Sequence, residues 1–296
     1  MMIKKKYLLC IRIVIIIIFS FLIYYSIDVS VALREVKSVP LFPYVLVISG
    51  HFLIMIVKAK RWQILSKCQG ANFRYTSGLR AYFIGFTFAT FTPGQIGDFG
   101  KIAFISENNI NIEKIAAAVV IDRAWDLISL AFASTICILF LAMSKVETGF
   151  IWLIIFSFAA IGVVGAILFQ RFLNPIILKK YDIDVRNYCK VLPLSLLLSA
   201  FVIIIQYVRW LLLSYVMNLP VFIASSAAMV GTFIALIPVS IAGLGTREAF
   251  MGYVFSKKAL PIEAGVSYSI LMFGTYLIGA IWGLILFALY KREVKE

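Results

Sequence analysis

The sequence predicts an all-α, polytopic helical membrane protein. Hydrophobic residues make up 62% of the 296 positions, and the mean hydropathy is +1.00. Several apolar runs are long enough for a helix to cross a bilayer, which takes about 20 residues. The polar stretches between these runs are too short for a soluble catalytic domain. We therefore expect a single transmembrane domain over residues 1–296.

Two Pro- and Gly-containing stretches interrupt the apolar pattern in the same way. They are Phe91–Lys101 (FTPGQIGDFGK) and Ile237–Glu248 (IPVSIAGLGTRE). Each follows an apolar run too short to span, at 78–92 and 221–237, because a helix of about 22 Å cannot cross a core of about 30 Å. Irregular backbone at membrane depth persists only when it is buried in protein or lines a cavity. Paired breaks in two halves of a chain indicate a transport site.

The other apolar runs predict about six full spans. Basic segments between and beside these spans predict their orientation in the membrane. The spans are roughly 7–27, 40–57, 115–143, 151–169, 191–217 and 263–290. Lys and Arg collect in cytoplasmic loops. This rule places both termini of the chain, and the basic segments 58–77 and 170–190, on the cytoplasmic side of the cell membrane.

These loop orientations are mutually consistent only if the two broken segments are re-entrant hairpins that open to opposite faces. The hairpin at 78–106 then opens to the cytoplasm and the one at 221–256 opens outward. The halves, roughly 1–145 and 146–296, become an inverted repeat. Alternatively, each broken segment spans fully as a kinked helix.

The net charge of +14, from 28 basic and 14 acidic residues, is typical of cytoplasmic loops and of attraction to anionic lipid headgroups. No nucleic-acid motif is visible, so nucleic acid is not an expected partner. The cysteines are widely spaced without a C-x-x-C pair, which predicts no disulfide and no metal site. No cofactor motif is visible either. The single histidine, His51, is interpreted as a packing residue, with a proton relay as the alternative.

Three charges fall inside the predicted span 115–143. Asp122 and Asp126 share one helix face, and Arg123 can pair with Asp126 three residues on. Such charges cost several kcal/mol in hydrocarbon, so they need partners or a polar cavity. Either they form a structural ion pair or they line a cavity at the hairpins.

Each hairpin also carries a cation close to the expected start of its second arm. We expect a half-helix to begin near Gly100, where free N–H groups and Lys101 would bind an anion. The second hairpin repeats this pattern with Arg247, and Arg209 lies deep in the span 191–217, facing the same cavity or snorkelling outward. The candidate substrate-binding residues are Pro93, Gly94, Gly97, Asp98, Gly100, Lys101, Asp122, Arg123, Asp126, Arg209, Pro238, Ser240, Gly243, Gly245, Arg247 and Glu248.

Three ordered motifs resemble one known family. They are Thr92-Pro93-Gly94-x-x-Gly97-Asp98-x-Gly100-Lys101, then Asp122-Arg123-x-x-Asp126, then Pro238-x-Ser240-x-x-Gly243-x-Gly245-x-Arg247-Glu248-Ala249. Over residues 40–290 the chain resembles the flippase-like transmembrane domain of the lysylphosphatidylglycerol synthases and their stand-alone relatives. Family members commonly have Glu at position 122, and often Glu-x-x-Arg-like residues where this chain has Asp98 and Lys101.

The resemblance implies lipid translocation rather than lipid aminoacylation, because the soluble aminoacyl-transferase domain of the full-length synthases is missing. The implied cargo is an anionic or phosphate-bearing lipid of the glycolipid, phospholipid or polyprenyl-phosphate type. Stand-alone relatives often accompany envelope polysaccharide pathways, so a glycosyltransferase is a possible partner. A membrane-embedded enzyme or enzyme partner in lipid-linked glycan synthesis is the alternative function, and a pure scaffold is a third. No catalytic motif is visible, so no catalytic residue is assigned.

Overall fold

The computed structural model describes residues 34, 37–105, 111–143, 183–236 and 243–290, and all secondary structure within these ranges is helical. The first part contains α1 (Leu41–Lys67), α2 (Tyr75–Thr90), a 3-10 segment (Pro93–Phe104) and α3 (Ile112–Met143). The second part contains α4 (Val185–Val216), α5 (Val221–Ile234), α6 (Thr246–Lys257) and α7 (Ile262–Ala288). The prediction of a helical membrane protein is therefore confirmed for the described residues.

Four helices, α1, α3, α4 and α7, are long and apolar enough to cross a bilayer. They correspond to the predicted spans 40–57, 115–143, 191–217 and 263–290. The other two predicted spans, 7–27 and 151–169, lie outside the described residues.

Local signals set several helix ends. Asp184 precedes α4, and its carboxylate accepts a hydrogen bond from the Arg186 N–H at 2.9 Å. Pro220 and Pro261 precede α5 and α7, where a missing backbone N–H costs nothing. Gly245 precedes α6 with φ of 84°, and its N–H donates to the Glu248 carboxylate at 2.7 Å. Glu248 thus closes the first turn of its own helix.

Two boundary predictions were wrong. The first span does not end at residue 57, because α1 continues to Lys67 and buries Arg61 completely. No Pro or Gly interrupts the chain between Gly50 and Gly70, so nothing stops the helix there. The return arm of the first hairpin does not begin near Gly100 either. It is a 3-10 segment that starts at Pro93, and the chain reverses at Gly94 and Gln95, whose φ values are 62° and 56°.

Both hairpins are held closed by glycines. In the first, the 3-10 segment packs antiparallel on α2, and a Cβ atom at Gly97 would lie 2.3 Å from the backbone of Phe88. In the second, a Cβ atom at Gly243 would lie 2.4 Å from the Ala235 Cβ. No larger residue fits either contact without moving the backbone or its neighbour. The candidate residues Pro238 and Ser240 lie outside the described residues.

Each hairpin packs against a long helix from the other half of the sequence. Helix α7 lies on α2, where the Thr87 hydroxyl donates to the Ala280 carbonyl at 2.8 Å. Helix α3 lies on α5, where the Ser134 hydroxyl donates to the Met229 carbonyl at 3.4 Å. This exchange holds the two halves of the sequence against each other.

Candidate functional site

Arg61 of α1 is the centre of a buried charge cluster. Its Nε donates to Asp122 Oδ1 at 2.7 Å, and its Nη2 donates to Asp126 Oδ1 at 2.5 Å. Its Nη1 donates to the Ser199 hydroxyl of α4 at 2.7 Å. The planar guanidinium presents its donors in a fixed fork, which suits two carboxylates on one helix face. Arg61 therefore joins α1, α3 and α4.

Lys101 brings the first hairpin into the same cluster. Its Nζ lies 2.7 Å from Asp98 Oδ2 and 3.5 Å from Asp122 Oδ2. The ammonium also lies 4.3 Å from the centre of the Tyr82 ring and 4.9 Å from that of Trp62, within cation–π range. Lys101 is completely buried, so it is not presented to solvent at a helix terminus.

The cluster is partly open on one side. Arg123 Nε donates to Asp98 Oδ2 at 2.7 Å, and Lys58 Nζ donates to Asp126 Oδ2 at 2.9 Å. The side chains of Arg123 and Lys58 are about one-fifth exposed. Arg123 Nη1 also donates to Gln95 at the hairpin turn, at 2.8 Å. We name the following seven residues the first cluster: Lys58, Arg61, Asp98, Lys101, Asp122, Arg123 and Asp126.

Arg247, on the return arm of the second hairpin, is completely buried. Its Nε donates to the Ser269 hydroxyl of α7 at 2.7 Å, and its Nη2 donates to Glu248 Oε1 at 3.2 Å. Ser269 in turn donates to Glu248 Oε1 at 2.8 Å. Among the described residues, Arg247 Nη1 has no hydrogen-bond partner.

Arg209 of α4 points into the protein rather than snorkelling outward, and only 2% of it is exposed. Its acceptors are all uncharged and lie within 3.0 Å: the Val47 carbonyl at 2.8 Å, Gln206 Oε1 at 3.0 Å and Thr275 Oγ1 at 2.9 Å. The guanidinium carbon also lies 4.7 Å from the centre of the Trp210 ring. We name Arg209, Arg247 and Glu248 the second cluster.

Tyr276 of α7 lies where the two halves meet. Its hydroxyl accepts a long hydrogen bond from Gln206 at 3.5 Å, and its ring lies 6.0 Å from the Arg247 guanidinium carbon. The same ring lies 6.5 Å from that of Phe86 in the first hairpin and 5.2 Å from that of His51. Neither ring nitrogen of His51 has a hydrogen-bond partner among the described residues.

Residues 9–283 match the family model described as lysylphosphatidylglycerol synthase TM region. The chain belongs to this family. The resemblance inferred from the motifs is therefore confirmed, and the family associates this multi-pass membrane protein with lipid modification or transport. No curated protein and no solved structure matches the chain significantly.

In this family member the candidate residues fall into two clusters, and no hydrogen bond or ion pair among the described residues joins one cluster to the other. The first cluster contains Asp98, Lys101, Asp122, Arg123 and Asp126, and the second contains Arg209, Arg247 and Glu248. The glycines of the motifs are backbone elements: Gly94 and Gly245 have positive φ, and Gly97 and Gly243 meet the opposite arm. A Cβ atom at Gly100 would meet the Phe88 ring at 3.4 Å, with no closer contact among the described residues. Pro93 begins the 3-10 segment.

Sequence reasoning missed Lys58 and Arg61, because both were assigned to a cytoplasmic segment. The signal that could have found them is the uninterrupted helical pattern after Gly50. It places the two basic residues three apart on one face. Within the described ranges no group of His, Cys, Asp and Glu side chains could hold a metal ion.

Proposed function

We propose that this protein translocates a lipid with an anionic headgroup between the leaflets of the cell membrane. One observation carries the proposal: each hairpin delivers a completely buried cation, Lys101 or Arg247, from its return arm. A buried charge in a membrane protein costs several kcal/mol, so it is a functional-site hypothesis by default. Cations held inside a membrane protein are suited to an anionic headgroup that must leave the interfacial region.

The hairpins support a re-entrant topology within this proposal. Helices of the lengths of α2 and α5 reach only about 20–24 Å, less than a hydrocarbon core of about 30 Å. Two such hairpins entering from opposite faces would make the halves an inverted repeat. Rocking one half against the other would then expose the headgroup site to each leaflet in turn.

The extension of α1 weakens the charge argument for orientation without reversing it. Lys58 and Arg61 lie in the first cluster, so they no longer count as loop charges. Lys60, Lys67 and Arg74 remain near the end of α1, and Lys60 is exposed. We therefore still propose that the C-terminal end of α1, and both termini of the chain, lie on the cytoplasmic side.

A reconstitution assay tests the proposal. The protein would be placed in liposomes with fluorescently labelled phosphatidylglycerol, and exchange between leaflets would be followed by chemical quenching of the outer label. We expect wild type to accelerate exchange and Arg247→Ala to slow it by about tenfold or more, since a buried charged donor is lost. Lys60→Ala, which removes an exposed cation outside both clusters, is the matched control.

Equal exchange by wild type and Arg247→Ala, for every anionic lipid tried, would reject the proposal. Melting temperatures in detergent would show that each variant is folded. The alternative functions, a membrane-embedded enzyme or a glycosyltransferase partner, stay predictions.

A further inference from the structure

We infer that the second cluster, and not the first, binds the phosphate oxyanion of the lipid headgroup, with the acyl chains in an apolar groove between α1 and α4. The inference depends on the proposed function only in taking a membrane lipid as the ligand.

The two hairpins correspond position by position. Lys101 and Arg247 are 146 positions apart, and so are Gly97 and Gly243. Each cation also lies against a glycine sixteen positions earlier in its own hairpin: a Cβ atom at Gly85 would be 2.7 Å from the Lys101 Cβ, and one at Gly231 would be 3.2 Å from the Arg247 Cγ. The two clusters are therefore two versions of one local arrangement.

The helices that face these cations differ in chemistry. In the first half, Arg61 and Lys101 face Asp122 and Asp126 of α3. In the second half, Arg209 is 148 positions after Arg61 and faces α7. There, hydroxyl groups stand in for the carboxylates: Ser269 accepts from Arg247 at 2.7 Å, and Thr275 accepts from Arg209 at 2.9 Å.

Both clusters carry a formal charge of +1, but they differ in whether every basic residue has a carboxylate partner. The first has four basic and three acidic residues, and each base has a carboxylate within 4.0 Å. In the second, Arg247 is paired with Glu248, whereas no carboxylate among the described residues lies within ion-pair distance of Arg209. The unpaired charge of the second cluster is a buried guanidinium.

The other arginine of the second cluster has a donor without an acceptor. Arg247 Nη1 has no partner among the described residues, and both arginines are connected to Tyr276: Arg247 through its ring and Arg209 through Gln206. Guanidinium donors match phosphate oxygens in geometry and charge. A single excess positive charge fits a monoanionic phosphodiester.

An apolar groove between α1 and α4 borders Arg209. Its walls are exposed apolar side chains of α1 and α4, and Arg209 forms part of its lining. The apolar wall residues that are exposed are Leu46, Leu53, Ile204 and Val208. Gly50 leaves room for the arginine, because a Cβ atom there would lie 2.6 Å from the Arg209 Cγ. An acyl chain suits the apolar walls, and the buried Arg209 guanidinium lies directly behind them.

A binding measurement in nonionic detergent tests this inference without requiring transport. Calorimetric titration with dihexanoyl phosphatidylglycerol would be compared with dihexanoylglycerol, which has the chains but no phosphate, and with inorganic phosphate, which has no chains. We expect Thr275→Asp and Arg209→Gln each to weaken phosphatidylglycerol binding by about tenfold or more, because one supplies a competing carboxylate and the other removes the charge. Thr275→Asn, which has the size of Thr275→Asp but no charge, should weaken binding less than Thr275→Asp. Asp126→Asn, in the first cluster, and Lys60→Ala, outside both clusters, should retain binding.

Three results would overturn the inference: unchanged affinity in Thr275→Asp and Arg209→Gln, equal binding of inorganic phosphate or dihexanoylglycerol, or equal loss in Asp126→Asn at an unchanged melting temperature. If binding follows the expected pattern but liposomes show no exchange, the site stands and the proposed translocation fails. If exchange occurs but binding ignores the second cluster, translocation stands and this site fails.

Discussion

The two hairpins share a backbone design but differ in how their cations are neutralised. Lys101 and Arg247 occupy equivalent places, each against a glycine of the opposite arm. Around Lys101 three aspartates pair with four bases, whereas around Arg247 and Arg209 there is one glutamate and a set of hydroxyl and amide groups. Separating a buried cation from its carboxylate is costly, so such a pair makes stability depend on both partners. A buried cation with neutral acceptors can still form an ion pair with an anionic ligand. The comparison predicts that stability depends on the first cluster and lipid handling on the second.

The largest effect should come from the two equivalent arginines. Arg61→Leu leaves Asp122 without its closest cation, and breaking a buried ion pair costs about 3–5 kcal/mol. Arg209→Leu loses only neutral acceptors, at about 1–3 kcal/mol, while removing an unpaired buried charge. We expect the melting temperature in detergent to fall much further for Arg61→Leu than for Arg209→Leu. The rate of lipid exchange per folded protein should fall only for Arg209→Leu. Equal melting temperatures for the two variants would contradict this division between the clusters.

A smaller effect should come from the glycines of the first hairpin. Gly97→Ala places a methyl group 2.3 Å from the Phe88 backbone, which must move, and overpacking of this kind costs about 1–3 kcal/mol. Gly100→Ala is the control, since its methyl group would meet only the Phe88 ring at an ordinary 3.4 Å. Thermal unfolding should separate the variants. If Gly100→Ala were as destabilising as Gly97→Ala, the close packing of the 3-10 segment on α2 would not be what holds the hairpin closed.

Local sequence patterns predicted the features that depend on neighbouring residues. The Pro/Gly breaks at 93–97 and at Gly243 mark real chain reversals, because a tight return needs residues without a Cβ at the contact. The shared face of Asp122 and Asp126 follows from helical spacing alone, and Arg61 does bind both. These predictions required no knowledge of tertiary structure.

The partners of the charges could not be predicted in this way. Arg61 resembled a cytoplasmic loop residue because basic residues usually lie there, and only packing of α1 on α3 shows that it is buried. The chemistry of the second cluster depends on which α7 side chains face Arg209 and Arg247, and Ser269, Thr275 and Tyr276 belong to no motif. Hydroxyl and aromatic residues are common in membrane helices, so their spacing gave no signal of a site.

The smallest effect concerns one hydroxyl group in each cluster, and it tests the comparison at its finest level. Ser199 accepts from Arg61 Nη1 at 2.7 Å, and Ser269 accepts from Arg247 Nε at 2.7 Å. Replacing either by Ala should cost about 1–2 kcal/mol of stability. The buried hydrogen bond to the arginine is lost together with the one that each serine donates, from Ser199 to the Ser195 carbonyl and from Ser269 to Glu248 Oε1. Arg61 would still be fixed by two carboxylates, whereas Glu248, at 3.2 Å, would be the one hydrogen-bond partner left to Arg247 among the described residues. Lipid exchange should therefore fall in Ser269→Ala and stay unchanged in Ser199→Ala. Equal exchange in these two variants would mean that the orientation of Arg247 does not matter to the lipid.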